Sequence, residues 1–81
     1  MNQPTTVDLE LDCRDQVCPK PVIELARHLT DVEPGGVIGV VATDAAARVD
    51  IPAWCRMREQ EYVGEDLAAD GAARFLVRRV S

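Results

Sequence analysis

The chain has 81 residues, of which 47% are hydrophobic and 28% are charged, and its formal net charge is −5. A chain of this length has room for one hydrophobic core, so we expect a single domain over residues 1–81, with residues 1–6 frayed. The acidic balance opposes direct binding of nucleic acid, which needs Lys and Arg against the phosphates.

The three cysteines, Cys13, Cys18 and Cys55, are an odd number. The first residues contain neither a basic region nor an apolar stretch typical of a signal peptide, and no segment is long enough to span a membrane. We therefore expect free thiols in the reducing cytoplasm, and no membrane partner.

The first predicted elements are a strand and a helix. Apolar residues alternate with acidic ones over residues 7–12, which is the period of a half-buried strand, and residues 13–17 read as a short connection. From Pro19 the apolar residues follow a helical period. Pro19 suits the first helical position, where its missing N–H costs nothing, and Pro21 is tolerated within the same turn.

Three further strands and a second helix follow, with turns between them. Residues 33–36 form a turn, and the apolar run of residues 37–41 predicts a central strand. Because Pro52 disfavours a helix that begins after Asp44, we expect a loose turn over residues 45–49 and a helix over residues 50–58, with Ile51, Trp54 and Cys55 in the core. Residues 60–65 and 73–80 read as strands that flank a hairpin turn at residues 69–71. The order β-α-β-α-β-β predicts an α/β fold, a two-layer open-faced sandwich in which two helices cover one face of a four-stranded mixed sheet.

Cys18 lies where the strand period gives way to the helical one. A cysteine near the N-cap of a helix faces unpaired N–H groups and the positive end of the helix dipole, which favour the thiolate. A thiolate stabilised in this way is nucleophilic and can carry a labile group. Cys18 is therefore the candidate catalytic residue.

The chain resembles the TusA family of small sulfur carriers, which is also called SirA-like. The residues that carry the resemblance occur in the family order: Leu11-Asp12-x-Arg14, Cys18-Pro19-x-Pro21, Pro34-Gly35, Asp44 and Asp50-Ile51-Pro52-Ala53-Trp54-Cys55. These motifs run from about residue 9 to residue 63, and the family fold is the same β-α-β-α-β-β sandwich.

The resemblance implies a sulfur carrier that holds sulfane sulfur as a transient persulfide on Cys18 and needs no other cofactor. The donor would be a cysteine desulfurase or a rhodanese-like protein, and the acceptor another protein's cysteine, for example in a DsrE-like protein. Family roles include tRNA 2-thiolation, sulfur oxidation and sulfuration of the molybdenum cofactor enzymes. Such a protein is a sulfurtransferase-type carrier rather than an independent turnover enzyme, and nothing in the sequence demands more than a monomer.

Three positions depart from the family pattern. The stretch before the cysteine commonly reads R-G-L-x-C-P, whereas Asp15 and Gln16 replace the glycine and the leucine here. Asp15 adds negative charge that would raise the pKa of a nearby thiol. Cys13 is an extra thiol, and Gln60 replaces a histidine that often precedes the third strand.

Supporting roles are expected for residues around Cys18. Pro19 and Pro21 would stiffen the first helical turn and hold the thiol outward. Lys20 and Arg14 could each pair with an anionic sulfur, although a charged side chain at such a position is more often simply solvated. Asp12 is expected to order the loop between strand and helix.

Two alternatives to a carrier remain open at the level of sequence. Cys13 could act as a resolving thiol that closes a disulfide with Cys18, which would make the protein a redox switch. The fold could also serve as a non-catalytic interaction module or regulator. Cys55 is expected to be buried and inert, and the spacing of the cysteines and His28 does not favour a metal site.

Overall fold

The computed structural model describes residues 6–17 and 19–81. Six elements follow one another in these residues: β1 (Leu9–Cys13), α1 (Lys20–His28), β2 (Val37–Ala42), α2 (Ala47–Arg58), β3 (Glu61–Leu67) and β4 (Ala73–Arg78). A 3-10 turn over Leu29–Asp31 extends α1. The predicted order β-α-β-α-β-β is confirmed.

The four strands form one mixed sheet in the order β1-β2-β4-β3. β1 and β2 are parallel, and β4 runs antiparallel to both β2 and β3. The α1 crossover joins the parallel pair, whereas a tight hairpin joins β3 and β4. The predicted mixed sheet is therefore confirmed.

Both helices cover the same face of the sheet, as the sequence predicted. α1 packs on β1 and β2, and α2 packs on β3 and β4. Alternate strand residues contribute Leu11, Val40 and Phe75 to the shared core, which α1 and α2 complete with Leu25 and Ile51. The core positions predicted for α2 are confirmed, because Ile51, Trp54 and Cys55 are all buried.

The opposite face of the sheet is closed by Arg74 of β4. Its guanidinium donates to Asp66 on β3 at 2.6 and 2.7 Å and to Glu10 on β1 at 3.0 Å. Its stem lies so close to Gly39 of β2 that a Cβ there would come within 2.9 Å of Arg74 Cδ. The arginine thus covers the centre of the sheet while it links the two edge strands.

The predicted start of α2 was wrong. The helix begins at Ala47, three residues earlier than the proline suggested, and Pro52 lies inside it. The segment follows Asp44, the start that the sequence analysis disfavoured, and Asp44 Oδ1 accepts from Ala46 N at 3.0 Å. An early proline removes only one helical hydrogen bond, and the longer helix buries Ala47 one turn before Ile51.

Several smaller boundaries also differ from the prediction. Pairing with Ala42 keeps Cys13 within β1, so Cys13 is not a loop residue. Pro19 occupies the N-cap of α1, one position before the expected one, while Pro21 lies in the first turn as predicted. β3 extends to Leu67 because its pairing with Ala73 continues to the hairpin, and β4 ends two residues early, at Arg78. Of the segment expected to be frayed, residues 1–5 lie outside the described residues.

Candidate functional site

Three connections meet at one edge of the sheet, where β1 and β2 end and the antiparallel β4 begins. They are the loop of residues 14–17, the loop of residues 43–46 and the hairpin turn of residues 68–72. We refer to this end as the carboxyl edge. Since Cys18 directly follows the first of these loops in the sequence, the candidate site lies at this edge.

Cys18 itself lies outside the described residues, but both of its neighbours are described. Val17 is 69% exposed, and Pro19 and Lys20 are exposed as well. Lys20 N donates to Val17 O at 2.9 Å, and Ile23 N donates to Pro19 O at 3.0 Å as the helix starts. Within the described residues no side chain caps α1, so none competes with an anion for its positive end.

The two prolines of the motif differ in their surroundings. Pro21 is fully buried in the first turn of α1. Pro19 is exposed and lines a surface groove. Lys20 makes no ion pair within the described residues. An exposed, unpaired ammonium group next to the motif remains available to an anion or to a partner's carboxylate.

Arg14 points to the hairpin turn. Its Nη2 donates to Asp70 Oδ1 at 3.0 Å, and its buried Nε lies 3.0 Å from Asp70 Oδ2 without hydrogen-bond geometry. The Arg14 Nη1 atom pairs with Asp12 Oδ1 at 3.0 Å. The hydrogen bond from Arg14 is the main reason why the pKa of Asp70 lies below its usual value. From the sequence, Arg14 could pair with an anionic sulfur or, as is more frequent, be simply solvated; in the structure its charge is held between two carboxylates.

Asp12 orders this loop, as predicted. Its Oδ1 accepts from Arg14 N at 3.1 Å in addition to the contact with the Arg14 side chain. Further along the loop, Gln16 N donates to Cys13 O at 3.2 Å and closes a turn. Asp15 N donates to Thr43 Oγ1 at 3.0 Å, which ties the first loop of the carboxyl edge to the second.

Asp15 adopts a left-handed conformation, with φ of 64°. Only Glu59 shares this property among the described non-glycine residues, and it does so at the C-cap of α2. Glycine takes up such a conformation without steric cost, which gives a physical reason for the glycine that the family pattern commonly has at this position. Asp is one of the few other residues that tolerate it.

The other two thiols are buried. Cys13 is 1% exposed, and its pKa is raised first by burial and then by the carboxylates of Glu24 and Asp12. Cys55 is also 1% exposed, and burial raises its pKa to about 11. Thiols in such surroundings stay protonated and react slowly. Cys55 is buried as predicted, and the burial of Cys13 weighs against an accessible resolving thiol.

A groove of about 320 Å³ lies between the two helices. Its lining is mostly apolar and comprises Pro19, Val22, Asp50, Ala53, Trp54 and Met57. Met57 is 71% exposed, and Arg58 lies 5.9 Å from the centre of the Trp54 ring. Sequence reasoning assigned Trp54 to the core and did not single out Met57. The signal in the sequence that could have identified Met57 is an apolar side chain on the polar side of the predicted helix.

The described residues also bear on the question of metals and membranes. His28 Nδ1 lies 2.7 Å from Asp31 Oδ2, and its Nε2 lies 3.4 Å from Glu24 Oε2, so both ring nitrogens face carboxylates of the same helical segment. Across residues 6–17 and 19–81, no three His, Cys, Asp or Glu side chains form a group that could hold a metal ion. In the same part of the chain, no helix has the length and apolar character needed to cross a membrane.

Comparison with known proteins agrees with this architecture. The family model described as Sulfurtransferase TusA matches residues 9–79. The sulfur carrier protein TusA of Pseudomonas syringae pv. syringae (strain B728a) is 40% identical over 76 residues, which cover 94% of this chain and 89% of the relative. The protein of the same name from Pseudomonas fluorescens (strain SBW25) is 39% identical and covers 93% of this chain and 89% of its own length.

A solved structure shares the fold at lower sequence identity. The SirA-like protein from Desulfitobacterium hafniense superposes with a TM-score of 0.74 at 22% identity. The superposition covers 90% of this chain and 99% of the other. It therefore includes nearly all of both layers.

Proposed function

The chain belongs to the TusA family of sulfur carrier proteins, and on that premise we propose that Cys18 is the residue that accepts and releases the sulfur. One observation carries this proposal: both other thiols of the chain are buried and have raised pKa values. Cys18 is the remaining cysteine, and its neighbours Val17 and Pro19 are exposed at the start of α1. Protein-to-protein transfer requires a thiol that a partner can reach.

The transfer is a displacement at sulfur. The Cys18 thiolate attacks the outer, sulfane sulfur of a persulfide on the donor protein, and a new S–S bond forms to Cys18 Sγ. The donor's own S–S bond breaks, and its electron pair leaves with the donor cysteine as a thiolate. The proton of the sulfane sulfur stays on it or passes to solvent, and no net oxidation or reduction occurs. Delivery repeats the step with the acceptor's thiolate as the nucleophile.

Residues beside Cys18 support this chemistry in distinct ways. The N-terminus of α1, which no described side chain caps, would favour negative charge on the thiolate and on the persulfide. Lys20, which is exposed, adds a positive charge two residues after Cys18. Pro21 anchors the first turn in the core and keeps the start of the helix in place.

A carrier needs protein partners on both sides of the transfer. For the donor we propose a cysteine desulfurase or a rhodanese-like protein, and for the acceptor a protein such as a DsrE-like one. The products served would be thiolated tRNA, oxidised sulfur or a sulfurated cofactor. The apolar groove between α1 and α2 includes Pro19, so a partner that covers the groove also reaches the segment that carries Cys18.

Intact-mass analysis tests the proposal. The protein is incubated without reductant, either with a cysteine desulfurase and cysteine or with a rhodanese and thiosulfate. We expect a gain of one sulfur atom that reductant removes, that Cys18→Ala abolishes and that Cys13→Ala retains. The loss of two hydrogens in place of a sulfur adduct would instead indicate a Cys13–Cys18 redox switch. No change with either donor, together with partner binding that survives Cys18→Ala, would indicate an interaction module.

A further inference from the structure

We propose that Arg14 is a positioning residue for Cys18: its ion pair with Asp70 holds the loop that carries the thiol against the β3–β4 hairpin turn. This inference rests on the proposed carrier function, because it concerns the loop that presents Cys18 to partners. It assigns Arg14 to the scaffold of the site rather than to direct contact with the sulfur.

The pair joins two segments that are 56 residues apart in the chain. Arg14 presents two nitrogens to the two carboxylate oxygens of Asp70, with both contacts at 3.0 Å. Asp70 is itself fixed, since its Oδ1 accepts from Ala72 N at 3.1 Å within the turn. On the other side, Asp12 Oδ1 contacts Arg14 Nη1 and Arg14 N. The guanidinium therefore connects the end of β1 with the hairpin through two carboxylates.

Among the described residues, this pair is one of two polar contacts that hold the loop to the rest of the carboxyl edge. The other is the hydrogen bond from Asp15 N to Thr43 Oγ1. Together they fix residues 14 and 15 against two different connections, three to four residues before Cys18. A loop that is already ordered loses less conformational freedom when a partner docks, so its transfer reactions are faster.

The arrangement of charges argues against a direct role for Arg14. Three of its nitrogens face carboxylate oxygens at 3.0 Å, and the side chain is only 30% exposed. A guanidinium held between two carboxylates contributes little net positive charge to an anion outside the cluster. A positioning role and a direct role therefore predict opposite effects when Asp70 is neutralised.

The experiment compares Asp70→Asn and Arg14→Lys with the control Glu65→Gln. The asparagine keeps Oδ1, which accepts from both Ala72 N and Arg14 Nη2, so the turn is preserved while the charge and the second contact, from Oδ2 to Arg14 Nε, are lost. Glu65 forms a similar two-contact pair with Arg48, at 2.9 and 3.0 Å, and neither residue belongs to the loop. Each variant is loaded with sulfur by the donor that loads the wild type, and the rate is followed by intact mass. The pH dependence of Cys18 alkylation is measured in parallel.

We expect loading to slow about fivefold in Asp70→Asn, which is the effect that losing a well-formed surface ion pair allows. Arg14→Lys should slow loading as well, because a single ammonium group cannot make the two-point contact. The midpoint of the alkylation profile should stay unchanged in both, and Glu65→Gln should load at the wild-type rate. If Arg14 acts on the sulfur directly, Asp70→Asn will load as fast as the wild type or faster, and Arg14→Lys will retain activity. That result would overturn the proposal.

Amide hydrogen exchange separates failure of this inference from failure of the carrier function. The amide of Asp15 donates to Thr43 Oγ1 of the neighbouring loop, and the amide of Gln16 donates to Cys13 O at the end of β1. We expect them to exchange about fivefold faster in Asp70→Asn but not in Glu65→Gln. If the wild type accepts no sulfur but the Asp15 and Gln16 amides still exchange faster in Asp70→Asn, the carrier function is refuted. The ion pair between the loop and the hairpin is then still supported. Unchanged exchange in Asp70→Asn refutes the tie whatever the loading result.

Discussion

Replacing Asp15 with glycine should stabilise the protein. A side chain in the left-handed conformation costs about 1–2 kcal/mol, and Asp lies at the lower end because its short polar side chain tolerates it. Glycine removes this cost but loses about 0.5–1 kcal/mol through the greater freedom of the unfolded chain. The net expectation is a gain of about 0.5 kcal/mol in the free energy of unfolding. For a domain of this size, that gain corresponds to a rise of about 2–4 °C in the Tm.

Thermal unfolding followed by circular dichroism measures this difference. Asp15→Ala serves as the opposite perturbation, and its Tm should fall. Alanine keeps the steric cost of the left-handed conformation but lacks the short polar side chain that lets Asp tolerate this conformation. Glu59→Gly is the matched control at the only other described non-glycine residue with positive φ. It should raise the Tm by at least as much, because Glu tolerates the left-handed conformation less well than Asp and glycine is favoured at this end of a helix.

The charge of Asp15 has a separate effect, which Asp15→Asn isolates. Asn also tolerates the left-handed conformation, so its Tm should stay close to that of the wild type. Asp15 lies three positions before Cys18 in the sequence, and a nearby negative charge disfavours the thiolate. The pH midpoint of Cys18 alkylation should therefore fall slightly in both Asp15→Asn and Asp15→Gly.

The comparison of the two glycine variants can refute this reasoning. If Asp15→Gly melts below the wild type while Glu59→Gly melts above it, the side chain of Asp15 stabilises the loop by more than its conformation costs. If both variants melt below the wild type, the penalty assigned to positive φ is wrong for this protein.

Three other predictions follow from burial and ion pairing. In Cys18→Ala, iodoacetamide should label no thiol of the native protein and two after denaturation, because Cys13 and Cys55 are buried; rapid native labelling would contradict this. Ile51→Ala should lower the free energy of unfolding by about 3 kcal/mol and the Tm by more than about 10 °C, as measured by denaturant and thermal unfolding, since the side chain is fully buried. Arg74 holds the pKa of Asp66 below its ordinary 3.8, so this pair stabilises the fold above that pH and its contribution is lost as the pH falls through the lowered value. Asp66→Asn should therefore lower the Tm at pH 7 and reduce the loss of Tm between pH 7 and pH 3, and an unchanged pH dependence would contradict the assignment.

Local periodicity predicted most of the fold. Alternation identified the strands, and the 3.6-residue stripe identified α1, because each pattern reflects which side chains face a common core. The errors came from rules that tertiary packing overrides. Pro52 argued for a late start of α2, but the burial of Ala47 together with Ile51 favours the longer helix. Cys13 looked like a loop residue until its pairing with Ala42 on β2 placed it in β1.

The role of Arg14 could not be predicted from the sequence, for a reason that depends on topology. The motif placed Arg14 four residues before Cys18, and the sequence left open whether Arg14 pairs with an anionic sulfur or is simply solvated. Its principal partner, Asp70, is 56 residues away and reaches it only because the strand order β1-β2-β4-β3 brings the hairpin turn to the edge where β1 ends. Periodicity does not encode strand order, and one acidic residue in a turn resembles any other. Of the residues that the motif groups around Cys18, Arg14 is therefore the one whose function the fold changes most.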